Sequence, residues 1–221
     1  MAVVNLECSL PLLNTIPIKF SNVIAFDISW SRLKKGLSFF KKNNKSVNNK
    51  IEIFVADIHE IPLQDKCIDI VTSNHSLEPN GASLSNLLSE LFRVTKRKLV
   101  LFEPSYELNS KEGKERMERL GYIKDIEKEV SKLGGKVSNI IPIKNTLNSL
   151  NPTACYVIEP PNSSRKILKE KPVLSVPGTN YQLNKSNSFL ESKDTGLLFP
   201  ILEDIPILRS NLAILATAKF L

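Results

Sequence analysis

The feature that most constrains this chain is an alternation of β-type runs with helical stretches over its first 160 or so residues. Strand-like runs stand at AVVNLE, NVIAFDI (22–28), IEIFVAD (51–57), CIDIVTSN (67–74) and KLVLFEPS (98–105), the last stopped by Pro104. Two more, KVSNIIPIKN and TACYVIEPP, follow. After the second run, SWSRLKKGLSFFKKNN offers Ser29 as a helix cap and repeats Trp30, Leu33, Leu37 and Phe40 at three- and four-residue spacing. LSNLLSELFRVTKR (84–97) has the same amphipathic period, and shorter helices are predicted around 110–120 and 123–133, where Gly134 suits a left-handed cap. Strands separated by helices of about ten residues need crossover connections, so the pattern predicts an α/β fold with a mainly parallel sheet covered on both faces.

The pattern changes after Pro160. PPNSSRKILKEKP supplies a polar linker (161–170), and residues 171–221 hold only short apolar runs, which predicts a small β-rich C-terminal module appended to a domain over 1–160. With 42% hydrophobic and 24% charged residues the chain has the balance of a folded globular protein rather than a disordered one. No apolar run approaches the ~20 residues that cross a bilayer, and MAVVNLECSLPLL lacks the basic start of a secretory leader, so no membrane partner and a cytoplasmic setting are expected. Cys8, Cys67 and Cys155 are too far apart, with only His59 and His75 to help, to suggest a disulfide framework or a metal site; buried, inert thiols are expected. The net charge of +7 permits an anionic partner such as a nucleic acid, but does not favour one. The densest basic group, KKNNKSVNNK (41–50), lacks interleaved aromatics and reads as a solvated helix end and loop.

In parallel α/β sheets ligands sit beyond the carboxyl ends of the strands, which directs attention to the residues just after each run. Asp27 ends the second run, where a carboxylate can accept hydrogen bonds from vicinal ribose hydroxyls or simply serve a helix N-terminus. Asp57 ends the third, where it can hold an exocyclic amino group while Ile58 packs on the ring, or cap a turn. TSNHSLEPNG follows the fourth and gathers Ser73, Asn74, His75, Ser76 and Glu78. His75 is a candidate general base and Glu78 a group that orients it, unless both only tie down a loop turned by Pro79 and Gly81. FEPSYE adds Glu103, Tyr106 and Glu107, which suit structural or substrate contacts better than catalysis.

The segments VIAFDISWSRL, VADIHEIPLQDKCIDIVTSNHSLE and LSELFRVTKRKLVLFEPS resemble consecutive motifs of the class I S-adenosylmethionine-dependent methyltransferases (methyltransferase type 11-like). The resemblance implies a Rossmann-like sheet of seven mostly parallel strands with helices on both faces. It implies S-adenosyl-L-methionine as cofactor, with Asp27 at its ribose, Asp57 and Ile58 at its adenine, Asn74 and His75 near its methionine end, and Glu7, Ser9 and Ile28 among the other residues that contact it. Family members carry glycines at alternate positions after the first strand; aligned on Cys8, this chain has Glu7, Ser9 and Pro11 there, and no glycine precedes Gly36. The glycine motif is thus degenerate, and side chains at these positions should narrow the pocket. The chain also starts at the first strand, without the helix that usually precedes it in the family. VPGTNYQL and GLLFPILEDIPIL resemble a small zinc-ribbon-like module attached to some methyltransferases, without its cysteines, so no metal is expected. Two readings stay open at this point. The chain is either an enzyme methylating a small-molecule or modified-macromolecule acceptor, which the retained downstream acids favour, or a non-catalytic methyltransferase-fold partner in a homodimer or heterodimer.

Overall fold

The computed structural model describes residues 2–4, 22–43, 51–144, 148–161, 172–186 and 188–220. Its strands are β1 (Ala2–Val4), β2 (Val23–Asp27), β3 (Ile51–Ala56), β4 (Ile68–Asn74), β5 (Thr95–Pro104), β6 (Lys136–Pro142) and β7 (Thr153–Glu159). Beyond them lie β8 (Asn184–Lys185), β9 (Phe189–Ser192), β10 (Leu197–Leu202), β11 (Ile205–Leu208) and β12 (Ile214–Leu215). The α-helices are α1 (Trp30–Asn43), α2 (Leu84–Val94), α3 (Lys111–Arg119) and α4 (Ile126–Lys132). The α/β class follows, and the strands run in the order β6-β7-β5-β4-β1-β2-β3-β11-β10-β9-β8.

The sheet is mixed, and wider than the seven strands expected from the resemblance. β1–β2, β1–β4, β2–β3, β4–β5 and β3–β11 pair in parallel. By contrast β7 runs antiparallel to both β5 and β6, and the strands of the C-terminal segment pair antiparallel among themselves. β11 widens the sheet because the short apolar run IPIL covers the otherwise open edge of β3, with Ile207 opposite Val55 and Leu208 opposite Ala56.

Alternation along the strands builds a core on each face. Ile24 and Phe26 of β2 face the main core, where Phe26 stacks on Phe54 with ring centroids 5.7 Å apart. Val23 and Ala25 turn the other way and pack with Val55, Ile205 and Leu33 of α1. Ser29 caps α1, its Oγ accepting from the Arg32 amide at 3.3 Å. On the main face α2 buries Leu84, Leu87, Leu88, Leu91 and Phe92, one stripe at helical spacing. This helix is shorter than its sequence pattern predicts. Thr95 turns extended and its hydroxyl donates to the Leu91 carbonyl at 2.6 Å, so 95–97 enter β5 instead of prolonging the helix.

Two of the sequence motifs are tied together by one side chain. Arg93 donates from Nη1 to the Leu63 carbonyl (2.7 Å) and from Nη2 to the Ile61 carbonyl (2.8 Å), while Glu90 Oε1 accepts from the Ile61 amide (2.6 Å). The opposite side of the same stretch is held by the C-terminal segment, through Ser175 N–H to the Pro62 carbonyl (3.0 Å) and a bridge between Leu63 and Leu174. Val176, Leu183, Leu190, Phe199 and Leu208 belong to the main core cluster, so the C-terminal segment shares a core with the sheet. The linker expected at 161–170 lies, from 162 onward, outside the described residues. Cys155 is buried and Cys67 half-buried, both as free thiols, and burial pushes the Cys67 thiol up to about 11, which leaves it unreactive. Among the described residues no helix is long and apolar enough to cross a membrane.

Phe199 has no exposed surface. Replacing it by alanine should cost about 3–5 kcal/mol, lowering the urea midpoint of the whole chain in one transition; an unchanged midpoint for the sheet would show the C-terminal segment to be an independent unit.

Candidate functional site at the carboxyl ends of the parallel strands

The parallel ladders end nearly level. Val4 lies opposite both Phe26 and Ser73, and Phe26 opposite Phe54, so the residues after β2, β3 and β4 emerge along one rim. A cavity of about 410 Å³ opens there, lined by Phe26, Asp27, Ile28, Arg32, Ala56, Asp57, Ile58, His59, His75, Ser76, Pro79 and Asn80. The structure therefore brings together residues singled out from sequence, among them Asp27, Ile28, Asp57, Ile58, His75 and Ser76. Asn74 ends β4 but is not among the lining residues, and Glu78 stands behind His75. Glu7, Ser9 and Pro11 lie outside the described residues.

Asp27 is 7% exposed, and its Oδ1 accepts from the Ser29 amide (2.8 Å) and pairs with Arg32 at 3.3 Å. Asp57 Oδ1 accepts from the His59 amide (3.0 Å) and His59 Nδ1 (2.8 Å). Burial by itself raises its pKa, but these hydrogen bonds together with the charges of His59 and Arg209 hold the carboxyl below the usual range. Arg209 follows β11, so the C-terminal segment contributes positive charge to this rim. Among the described residues nothing donates to the second oxygen of either acid. The cavity thus presents two carboxylates with acceptor capacity to spare, on walls formed partly by Phe26, Ile28 and Ile58.

His75 adopts a left-handed backbone, φ +49°. That conformation is uncommon for a residue other than glycine, and it is held here by several bonds. Its amide donates to the Phe102 carbonyl at 2.9 Å. The neighbouring turn is gathered by Glu103, whose Oε1 accepts from Ser73 Oγ (3.0 Å) and the amides of Ser76 (3.0 Å) and Leu77 (3.2 Å). Glu103 is fully buried, and the loss of solvent pushes its pKa up to about 7 against the pull of those donors. The ring of His75 bonds through Nδ1 to Glu78 Oε2 at 2.6 Å and through Nε2 to Thr153 Oγ1 at 3.1 Å. The hydrogen bond to Glu78 raises the imidazole pKa above its ordinary value, more than burial lowers it. Burial acts to raise the Glu78 pKa, yet the hydrogen bonds from His75 and Tyr122 hold it below the usual range. With its proton on Nδ1 toward the carboxylate, the ring offers Nε2 as a base.

Sequence reasoning missed Thr153, Ser83, Arg32 and Arg209. The partners of Thr153 and Ser83 lie far away along the chain, 78 residues for Thr153 and His75 and 24 for Ser83 and His59, and no local pattern announces such pairs, whereas Arg32 pairs with Asp27 only five residues before it. Tyr106 and Glu107 serve structure: the Tyr106 hydroxyl donates to Glu118 (2.7 Å), and Glu107 accepts from Ser105 Oγ (3.1 Å) and the Asp125 amide (3.0 Å). Among the described residues no group of three or more His, Cys, Asp or Glu side chains is placed to hold a metal ion.

Residues 10–102 match the family model of the methyltransferase domain, a span that begins beyond Glu7 and Ser9. No curated protein matches the chain. The fold is similar to that of an S-adenosylmethionine-dependent methyltransferase from Methanosarcina mazei (16% identity, 73% of this chain and 92% of that one, TM-score 0.57). It is similar to magnesium protoporphyrin IX methyltransferase from Synechocystis, solved with bound S-adenosylhomocysteine (15% identity, 72% of each chain, TM-score 0.55). It also resembles a chain in the complex between the Haloferax volcanii Trm112 methyltransferase activator and a methyltransferase (13% identity, 75% of this chain and 84% of that one, TM-score 0.56). The sequence over residues 10–102 is thus similar to the methyltransferase domain, and the fold around it is similar to that of S-adenosylmethionine-dependent methyltransferases.

Proposed function

We propose that this chain binds S-adenosylmethionine in the cavity at the strand ends and transfers its methyl group to a hydroxyl-type acceptor placed beside His75. The observation that carries the reading is the convergence of Asp27 and Asp57 on one cavity of about 410 Å³, each with an oxygen to which no described residue donates. That size falls within the roughly 300–1,000 Å³ of small-molecule sites. The donor set fits the cofactor: Asp27 would take the vicinal ribose hydroxyls, Asp57 the adenine amino group, and Ile28 and Ile58 the faces of the nucleoside. When bound, the cofactor supplies a sulfonium-activated methyl group. The protein's part is to hold the acceptor in line, exclude water and remove a proton.

The proton falls to His75. An acceptor hydroxyl replacing Thr153 at Nε2 would pass its proton to the ring, and Glu78 would stabilise the imidazolium that forms. In this reading residues 1–160 are the methyltransferase domain working in the cytoplasm, its β1–β7 forming the Rossmann-like sheet. Residues 171–221 form a module docked on β3, which supports a role for that edge in cis or toward a partner. The acceptor is a small molecule or a modified macromolecule.

Titration calorimetry with S-adenosylhomocysteine should give saturable binding that Asp27→Ala and Asp57→Ala each weaken at least tenfold; no heat at millimolar ligand would refute the cofactor assignment. The His75–Glu78 pair makes a second prediction. A histidine whose folded pKa is raised stabilises fully below its ordinary value near 6.5, and that contribution is lost as pH rises through the folded value. Glu78, being depressed, stabilises above its ordinary value near 4.5 and loses the contribution as pH falls through its folded value. The pair is therefore at full strength between roughly pH 4.5 and 6.5. An NMR titration should place the His75 pKa above 6.5 and show Glu78→Gln lowering it; an unshifted His75 would remove the base from the mechanism.

A further inference from the structure

We propose that His59, held by Ser83, is a positioning residue that makes Asp57 selective for an amino-bearing purine. The inference rests on the cofactor reading above and extends it to residues outside the family motif. His59 is pinned at both ring nitrogens: Nδ1 lies 2.8 Å from Asp57 Oδ1 and Nε2 lies 3.1 Å from Ser83 Oγ. Because an ionised carboxylate only accepts, a proton sits on Nδ1, while Nε2 meets the Ser83 hydroxyl, which also lies 3.4 Å from the Asn80 carbonyl. Ser83 ends the 3-10 turn Gly81–Ser83 that leads into α2, so two elements distant in sequence clamp one imidazole.

The clamp acts on the carboxylate. His59 supplies both its amide and its ring to Oδ1, which fixes the plane of the Asp57 carboxyl and leaves Oδ2 as its open acceptor among the described residues. Asp57 lines the cavity with 27% of its side chain exposed, so that oxygen is within reach of a bound base. A fixed anionic acceptor accepts a hydrogen bond from a 6-amino group and repels the carbonyl lone pairs of a 6-oxo purine. Such sites discriminate strongly because the wrong ligand leaves a desolvated polar group unpaired. Without the His59 ring only the backbone amide of residue 59 would hold Oδ1, so the carboxylate would be less fixed and both affinity and discrimination would fall.

The test compares S-adenosylhomocysteine with its deaminated analogue, S-inosylhomocysteine, by titration calorimetry. The wild-type protein should prefer the adenine ligand by at least about tenfold. His59→Ala should weaken that ligand about tenfold and narrow the preference. His59→Asn, whose amide can still donate to Oδ1, should retain most of it, and Ser83→Ala should fall between. His59 is 41% exposed, so these variants should keep the wild-type melting temperature. If wild type binds and prefers adenine while His59→Ala matches it, or weakens both ligands equally, this inference fails and the cofactor reading stands. If wild type binds neither ligand, the cofactor reading falls and this inference with it.

Discussion

The level ending of the parallel strands is the constraint on which the site depends. Parallel ladders fix each strand against its neighbour by evenly spaced hydrogen bonds, so the register of β1, β2, β3 and β4 decides that Asp27, Asp57 and His75 leave the sheet at one rim. A one-residue slip in any of them would invert its side chains and exchange the two cores. Alternation guards against this: Val23 and Ala25 pack against α1 while Ile24 and Phe26 face the main core, and neither set can change places without burying the wrong volume. Arg93 and Glu90 add a polar lock, fixing the backbone at Ile61 and Leu63 and the side chain of Asp65, just after the turn that carries Asp57 and His59.

Charge is deployed around the rim in two different ways. Asp57 and Glu78 are partly buried yet kept ionised by donors aimed at them, which preserves them as acceptors. Glu103 is buried completely, and its pKa is raised by the same desolvation that its neighbours overcome elsewhere. Its work is mechanical: one oxygen gathers Ser73, Ser76 and Leu77 and so holds the turn in which His75 sits with positive φ. A strained residue at the mouth of a cavity, braced from below by a buried acid, is the arrangement expected where a side chain must be presented in one orientation.

Much of this was legible in the sequence, for reasons that can be named. The stripe Leu84, Leu87, Leu88, Leu91 reports a helix because a buried face repeats every 3.6 residues. Asp27 and Asp57 could be singled out because each directly follows a run of β-type residues, and position along a strand is a local property. The end of α2 was misjudged because RVTKR has no residue that forbids a helix; what ends it is the pairing of Thr95 with Ile68, a contact invisible in either segment alone. The span 171–221 read as a separate module because its apolar runs are too short to show which neighbour they join. In the structure IPIL pairs with β3 and Phe199 lies in the main core.

What the sequence by itself determined is the α/β alternation, the amphipathic faces, and the acids and histidine that follow the strands. These are local because they depend on period, propensity and nearest neighbours. Only the tertiary structure decided that His59 spans Asp57 and Ser83, that Thr153 meets His75, that Glu103 carries the His75 turn, and that Arg209 brings charge from the C-terminal segment to the rim. The physical reason is range: a hydrogen bond or charge is felt over a few ångströms of space, and chain separation does not reveal which residues the folded sheet brings within that distance.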